Sequence, residues 1–379
     1  MDFSLSREEQ DLKVRAYEFA YRELASKSGE IDRTGRFPWE NVKAMAGGGF
    51  LGLPFPEEYG GSGFGLLGYC IALEELARVC RNTATINLAH TMSAYSIHLF
   101  GNDDQKNRFL KPMIEGRSLG ALAVTERTGG SDVASIRTEA KASGGEYIIN
   151  GEKSYITNAG EAQVYLVLAS TDKSKGAKGL SAFIVEKDTV GLSLGGLEDL
   201  TGFRAVSNGQ ILFKDCHVPR ENLVGGEGEG LKIALSCIDR GRVGLASVGV
   251  GLAQAALDAS VEYSKRRSQF GRALSEFQAV QFMIADMSTE TEAARLLTYY
   301  AASKADRGLR FTVEAAMAKL YSSEVAMRAA LKAIQIHGGY GLSRQSPVER
   351  MMREAKSLAI MEGTSEIQRT VIARGQTKD

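Results

Sequence analysis

Cysteine, proline and tryptophan are scarce in this 379-residue chain, which has four Cys, six Pro and one Trp. Cys70, Cys80, Cys216 and Cys237 stand far apart with no C-x-x-C pair. That spacing excludes a disulfide framework and a cysteine zinc site, and it predicts a reducing, cytoplasmic compartment. The histidines His90, His98, His217 and His337 lack metal-ligand spacing, so each is read as structural and no metal is expected. Net charge is also missing, with Lys+Arg and Asp+Glu both at 46. A nucleic-acid or anionic-membrane surface selects for clustered positive charge and is therefore not expected. No apolar run is expected to reach the roughly 20 residues of a membrane span. The start, MDFSLSREEQ, has neither the basic opening and apolar core of a signal peptide nor the low acidity of a transit peptide. These absences predict a soluble protein that begins at its mature N-terminus. Its 44% hydrophobic and 24% charged residues suit a globular chain long enough for two or three domains.

The pattern along the chain divides in three. Residues 1–118 read as helical: Ser6 followed by Glu9 is a capping-box signal, and Leu12, Ala16, Phe19 and Leu24 recur near helical spacing. A glycine- and proline-rich break covers 47–65, and helical pattern resumes at ALEELARVC (72–80). Residues 119–228 read as an antiparallel β-domain. In it EYIINGEKSYIT (146–157) predicts a hairpin turning at Asn150-Gly151, and VYLVLAS, LSAFIVE and QILFKD are further strands. Residues 229–379 read as a helical bundle. One apolar stripe runs through Phe277, Val280, Ile284, Met287, Thr291, Ala294 and Ala301, and a second through Val313, Ala316, Met317, Leu320, Met327, Leu331 and Ile334. The fold class is mainly α with a central antiparallel β-domain. No internal repeat or low-complexity tract interrupts it.

Three glycine patterns mislead. Gly249-Val250-Gly251 imitates a dinucleotide fingerprint but has no strand before it, so close helix packing is the reading. GGEGEG (225–230) is a flexible entry to a helix, and GGSGFG (60–65) places Phe64 where a nucleophile elbow needs glycine. The strand–helix alternation of a nicotinamide enzyme is absent.

An ordered series of blocks then resembles the acyl-CoA dehydrogenase family across almost the whole chain: AVTERTGGSDVASIRT (123–138), SYITNAG (154–160), LSAFIVEKDTVGL (180–192), FKDCHVPRENLVG (213–225), CIDRGRVGLAS (237–247), RRSQFGRALSEFQAVQFMIADM (266–287), QIHGGYGL (335–342) and MEGTSEIQR (361–369). The resemblance implies an α-helical domain, a β-barrel-like domain and a four-helix bundle, assembled as a dimer of dimers. It implies FAD as cofactor, an acyl-CoA thioester as substrate, a role in fatty-acid metabolism and an electron-transfer flavoprotein as electron acceptor.

Read on their own, Val124 and Thr125 before a Gly/Ser-rich turn are either a flavin or phosphate contact or an ordinary β-turn. The resemblance implies that Leu122, Ala123, Val124, Thr125 and Ser131 border the flavin, with Ser131 also near the thioester. It places Tyr155, Ile156 and Thr157 over the isoalloxazine ring. Arg267 can neutralise a pyrophosphate or simply end a solvated helix. By resemblance it reaches the FAD of a neighbouring subunit beside Gln269, Phe270 and Gln278, with Gln335, Gly338 and Gly339 as the other half of that site. Thr364 and Glu366 join the cofactor contacts. Asp239, Arg242 and Gly363 are implied to meet the substrate, Asp239 and Arg242 on its CoA arm; a structural ion pair between those two is the alternative.

Glu362 in M-E-G-T-S-E matches the family's catalytic glutamate. A carboxylate losing solvent beside an acyl chain rises above its reference pKa of about 4.3 and strengthens as a base. It would take the α-proton while hydride leaves the β-carbon for the flavin. Some relatives carry the base on the D-R-G-R helix, where this chain has Gly241. Two departures from the family pattern point away from ordinary straight-chain substrates, toward branched, cyclic or carrier-protein-bound ones. Arg127-Thr128 replaces the usual Pro-Gly, losing a rigid turn and adding charge, and Gly202-Phe203-Arg204-Ala205-Val206-Ser207-Asn208 alters a G-x-R-x-S-x-T motif. RNTATIN (81–87) offers no arginine where a dicarboxylate-binding one aligns. An oxidase uses the same base, though the extra C-terminal length of typical oxidases is missing. A non-catalytic binding protein would have no use for Glu362.

Overall fold

Ser6 starts the first helix in the computed structural model, which describes residues 4–377. Its hydroxyl accepts from the Glu9 N–H at 3.2 Å and its own N–H donates to the Glu9 carboxylate at 2.7 Å, closing the expected capping box on α1 (Arg7–Glu23). Helices α2 (Ala25–Thr34), α3 (Trp39–Gly47), α4 (Gly65–Val79) and α5 (Arg81–Phe100) follow. Short α6 (Asp103–Gln105) and α7 (Lys111–Ile114) flank a π-turn. Between α3 and α4 the glycine-rich break holds only a 3₁₀ turn at Glu57–Tyr59.

The middle segment forms one eight-stranded sheet from β1 (Gly120–Ala123), β2 (Glu139–Ser143), β3 (Glu146–Thr157), β4 (Val164–Ser170), β5 (Leu180–Glu186), β6 (Leu192–Leu197), β7 (Asn208–Pro219) and β8 (Leu223–Val224). It is mixed, not antiparallel throughout: β1 pairs with β4 in parallel, and β2 meets β4 in parallel at Glu139↔Ser170. The long excursion through β2 and β3 supplies the crossover that parallel neighbours need.

The expected hairpin at Asn150-Gly151 is a β-bulge inside a continuous β3. The register against β7 slips between Ile149 and Gly151, and the Asn150 amide exchanges bonds of 3.1 and 2.8 Å with Asp215. The turn comes earlier, at Gly144-Gly145, where Gly144 takes φ 62°. Bulges and turns recruit the same residues, and both positions here use them.

The 37-residue α8 (Gly230–Arg266) runs through the middle of the helical part. By length and hydropathy an 18-residue window of it could span a membrane, contrary to expectation, but 78% of that window is buried inside the protein. A small hairpin, β9 (Ser268–Gln269) and β10 (Arg272–Ala273), leads to α9 (Gln278–Asp306), α10 (Thr312–His337), α11 (Pro347–Leu358) and α12 (Ser365–Thr377). On α9 the predicted stripe is buried from Met287 through Thr291 and Ala294 to Ala301. On α10 the buried face is instead a seam of small residues, including Ala315, Ala318, Ala326, Ala329 and Ala333, while Leu331 is exposed. Small residues face α8 because its backbone comes so close. Gly249 lies against Ser322, and a Cβ on Gly251 would stand 2.4 Å from the Glu74 carbonyl of α4. Gly251→Ala should therefore destabilise by about 1–3 kcal/mol, since backbone cannot yield as a side chain can. Urea unfolding followed by helical circular dichroism measures it, and an unchanged midpoint would mean that α4 and α8 separate freely.

Candidate active site

The turn between α11 and α12 presents Glu362 in a left-handed conformation, φ 55°, followed by Gly363 at φ 88°. A non-glycine residue there is strained and persists only where its surroundings hold it. Three helices do so through the two carbonyls. Gln368 of α12 donates to Glu362 O at 3.1 Å and Gly363 O at 2.9 Å. Lys319 of α10 donates to Gly363 O at 2.6 Å, and Arg242 of α8 reaches Glu362 O at 3.4 Å.

The Glu362 carboxylate itself makes no hydrogen bond or ion pair among the described residues. It lies over the bare backbone of Gly241, where an added Cβ would stand 3.0 Å from its Oε2 and 2.5 Å from Met92 Cε of α5. The residue is half-buried, with protein packed densely around a carboxylate that keeps some accessible surface. Burial raises its pKa to about 7, with the Arg242 and Lys319 charges pulling the other way. The group is thus poised to exchange a proton near neutrality, as a general base requires.

Arg242 is 6% exposed, and Asp239 holds it at 2.8 Å while accepting from the Thr312 hydroxyl at 2.7 Å. The two residues implied to meet a CoA arm also make the ion pair of the alternative reading. Thr364 caps α12 by accepting from Ile367 N at 3.3 Å, and Glu366 is exposed one turn away.

A second group gathers where β1 leaves the sheet. Ser154 N donates to Thr125 O at 2.9 Å, joining residues 122–125 to 154–157. Ala123 and Ile156 point into the sheet core, so only their backbones can meet a ligand. Leu122 is half-buried, Val124 buried and Ser131 exposed on the next loop. Tyr155 stands out at φ 57° with 58% of its surface exposed. Asn208 donates to Tyr155 O at 3.1 Å and to the Thr157 hydroxyl at 3.3 Å, leaving its own Oδ1 and the nearby Ser154 Oγ buried without partners. Orphaned buried polar atoms beside an exposed ring fit a flat ligand with a polar edge, as a flavin has.

The Arg127-Thr128 replacement leaves a hydrogen-bonded turn in place. Glu126 and Gly129 exchange backbone bonds of 3.1 and 3.0 Å, and Arg127 points to solvent. The buried Glu126 accepts from Lys153 at 2.8 Å and from the Arg137 and Thr138 N–H groups at 2.6 and 2.9 Å. Burial opposes its charge, but Lys153 and these bonds outweigh that and keep its carboxyl below the usual range. Arg81, the arginine of RNTATIN, is buried against Glu354 at 2.5 Å and is unavailable to a ligand.

A third group lines an open cleft of about 610 Å³ at the far end of α8: Arg267, Gln269, Gly338 and Gly339, with a stacked Tyr263–His337 pair at 4.2 Å. Gly338 takes φ 60°, and a Cβ on either glycine would meet nothing within 4 Å, so the space beside them is open to a ligand. Arg267 makes no ion pair among the described residues. Phe270 is 92% exposed; Gln278 and Gln335 are exposed nearby. Met92, Lys319 and Gln368 are not legible as site residues, and Asn208 is marked only as one position of the altered G-x-R-x-S-x-T motif. The one available signal was a lysine set among alanines on α10.

Family models for the acyl-CoA dehydrogenase N-terminal, middle and C-terminal domains match residues 6–117, 121–216 and 228–377. A relative from Clostridium acetobutylicum named acyl-CoA dehydrogenase, short-chain specific, is 46% identical over 98% of this chain and 99% of its own. The three-dimensional structure of butyryl-CoA dehydrogenase from Megasphaera elsdenii is similar with a TM-score of 0.98, at 43% identity over 100% of both chains. A chain in a structure described as the electron transferring flavoprotein of Acidaminococcus fermentans has a TM-score of 0.99 at 45% identity, again over 100% of both.

Because the folded state raises the Glu362 pKa from 4.5 to about 7, the stability owed to its protonated form is present below the unfolded value and lost as pH rises through about 7. Glu362→Gln has no such titration. Its melting temperature relative to the parent should rise between about pH 5 and pH 8, by an increment worth about 1–3 kcal/mol. An equal difference at both pH values would mean that the carboxylate titrates as an ordinary exposed one.

Proposed function

The chain belongs to the acyl-CoA dehydrogenase family, and from that premise we propose that it oxidises a short straight-chain acyl-CoA to the 2-enoyl-CoA. The observation that carries this reading is the unbonded Glu362 carboxylate, half-buried, near-neutral in pKa and held on a strained turn. Glu362 takes the α-proton. Met92 on α5 crowds the space beside Gly241 that the Glu362 carboxylate also faces, which suits a short acyl group. The names of the short-chain-specific and butyryl-CoA relatives agree, and they outweigh the two sequence departures, the first of which keeps its turn.

FAD, when bound, supplies the acceptor for the β-hydride. The backbone of 122–125, Ser131, Tyr155–Thr157 and Asn208 would hold its ring, and Arg267 with Gln269, Phe270, Gln278, Gln335, Gly338 and Gly339 its phosphates and adenosine; Thr364 and Glu366 lie where they could join. Arg267 caps the far end of α8, 25 residues and about 37 Å of helix rise beyond Arg242. A second copy bringing its Arg267 cleft to this chain's flavin site would let both groups serve one cofactor, in keeping with the dimer of dimers.

We further assign residues 1–118, 119–228 and 229–379 to three domains and electrons to an electron-transfer flavoprotein, in keeping with the Acidaminococcus similarity. The four cysteines, all free and buried, fit a cytoplasmic setting.

Glu362→Gln should bind butyryl-CoA and lose flavin reduction about 10²- to 10⁴-fold. Anaerobic stopped-flow absorbance reads the rate and a separate titration reads affinity; reduction at the parent rate would place the base elsewhere. Arg267→Glu should shed FAD and loosen the oligomer together, seen by absorbance during size-exclusion chromatography. Loss of FAD from an intact oligomer would remove the cross-subunit reading.

A further inference from the structure

Lys319 has no accessible surface and sits on the alanine seam of α10. Burying an ammonium is costly unless something compensates it. Here no carboxylate lies within ion-pair distance among the described residues, and the Gly363 carbonyl at 2.6 Å uses one of its three donors. A methionine would fill the same space at no electrostatic cost, so packing does not account for the residue. The charged group that attracts it most strongly is Glu362, with Arg242 opposing and the exposed Glu366 adding a lesser attraction.

We propose that Lys319 is a positioning residue for the Glu362 base: it fixes the turn through the Gly363 carbonyl, and its charge favours the ionised carboxylate. This rests on Glu362 being the base. Among the other groups facing that carboxylate, Arg242 on α8 is the larger favourable charge but is shared with Asp239, and Cys237 is buried, its thiol pushed up to about 11 and therefore neutral. Met92 on α5 and Gln368 on α12 carry no charge, and Glu366 is exposed. Lys319 alone presents a buried positive charge with no carboxylate bound to it. Burial lowers its own pKa to about 8, which still leaves it charged at neutral pH.

The test uses FAD-loaded Lys319→Gln and Lys319→Met with a short acyl-CoA whose β-carbon is replaced by sulfur. Such a thioester can lose its α-proton to the carboxylate and regain a deuteron from solvent, yet it has no β-hydride to transfer. Mass spectrometry follows α-deuteration in D₂O across roughly pH 5.5 to 9, spanning the ordinary carboxylate-to-lysine range. In both variants the midpoint should move up by about one pH unit, with about tenfold slower exchange on the acid side, as removal of a nearby opposite charge demands. Thioester affinity should stay close to the parent's. Glutamine keeps a donor for the Gly363 carbonyl, so a residue that merely anchors the turn would leave the midpoint in place, and that result overturns the proposal. If Lys319→Gln fails to fold, the midpoint of Lys319→Met decides in the same way. Exchange at the parent rate in Glu362→Gln would instead remove the base assignment, a failure distinct from an unmoved midpoint.

Discussion

Everything in this fold is measured along one helix. α8 meets the sheet at its first residue, where Gly230 presses on the backbone of Ser181 in β5. A few turns later it carries Asp239, Gly241 and Arg242 under the Glu362 turn, and it ends at the Arg267 cleft. Such a rod can pack on α4 and α10 at backbone distance only if its own contact positions are small, and Gly249 and Gly251 meet that condition. The small-residue seam of α10 answers the same demand from the other side. Spacing between the sheet, the carboxylate and the distant cleft is therefore set by helix rise, a stiff quantity.

The carboxylate depends on that frame in two opposite ways. Burial disfavours its charge, and the cations on α8 and α10 favour it. Burial dominates, and the cations keep the group near neutrality. The left-handed backbone at Glu362 belongs to the same arrangement: bonds from Gln368, Lys319 and Arg242 converge on the carbonyls and leave the side chain free of partners. Strain in the main chain and freedom in the side chain are two sides of one design.

Much of this was legible in the sequence, because strong local signals coincide with global ones. The Ser6 capping box, the glycine break before α4, the α9 stripe and the ordered family blocks all found their places. Signals failed where one residue type serves two structures. Asn150-Gly151 reads as a turn but builds a bulge, because the adjacent Gly144-Gly145 had already turned the chain. The α10 stripe was drawn through the larger apolar residues, yet close approach to α8 buries alanines and turns Leu331 outward. Lys319 is silent for another reason: its meaning lies in a partner more than 40 positions away.

Gly241 also bears on how such a site can change over evolutionary time. The helix position and the turn position address one small volume, since a Cβ at 241 would already crowd both Glu362 and Met92. A carboxylate at each would put two like charges into that volume, and each would oppose the other's ionisation. The bare Cα at 241 leaves the volume to one carboxylate, and a substitution that added another there would change the first one's titration before it touched anything else.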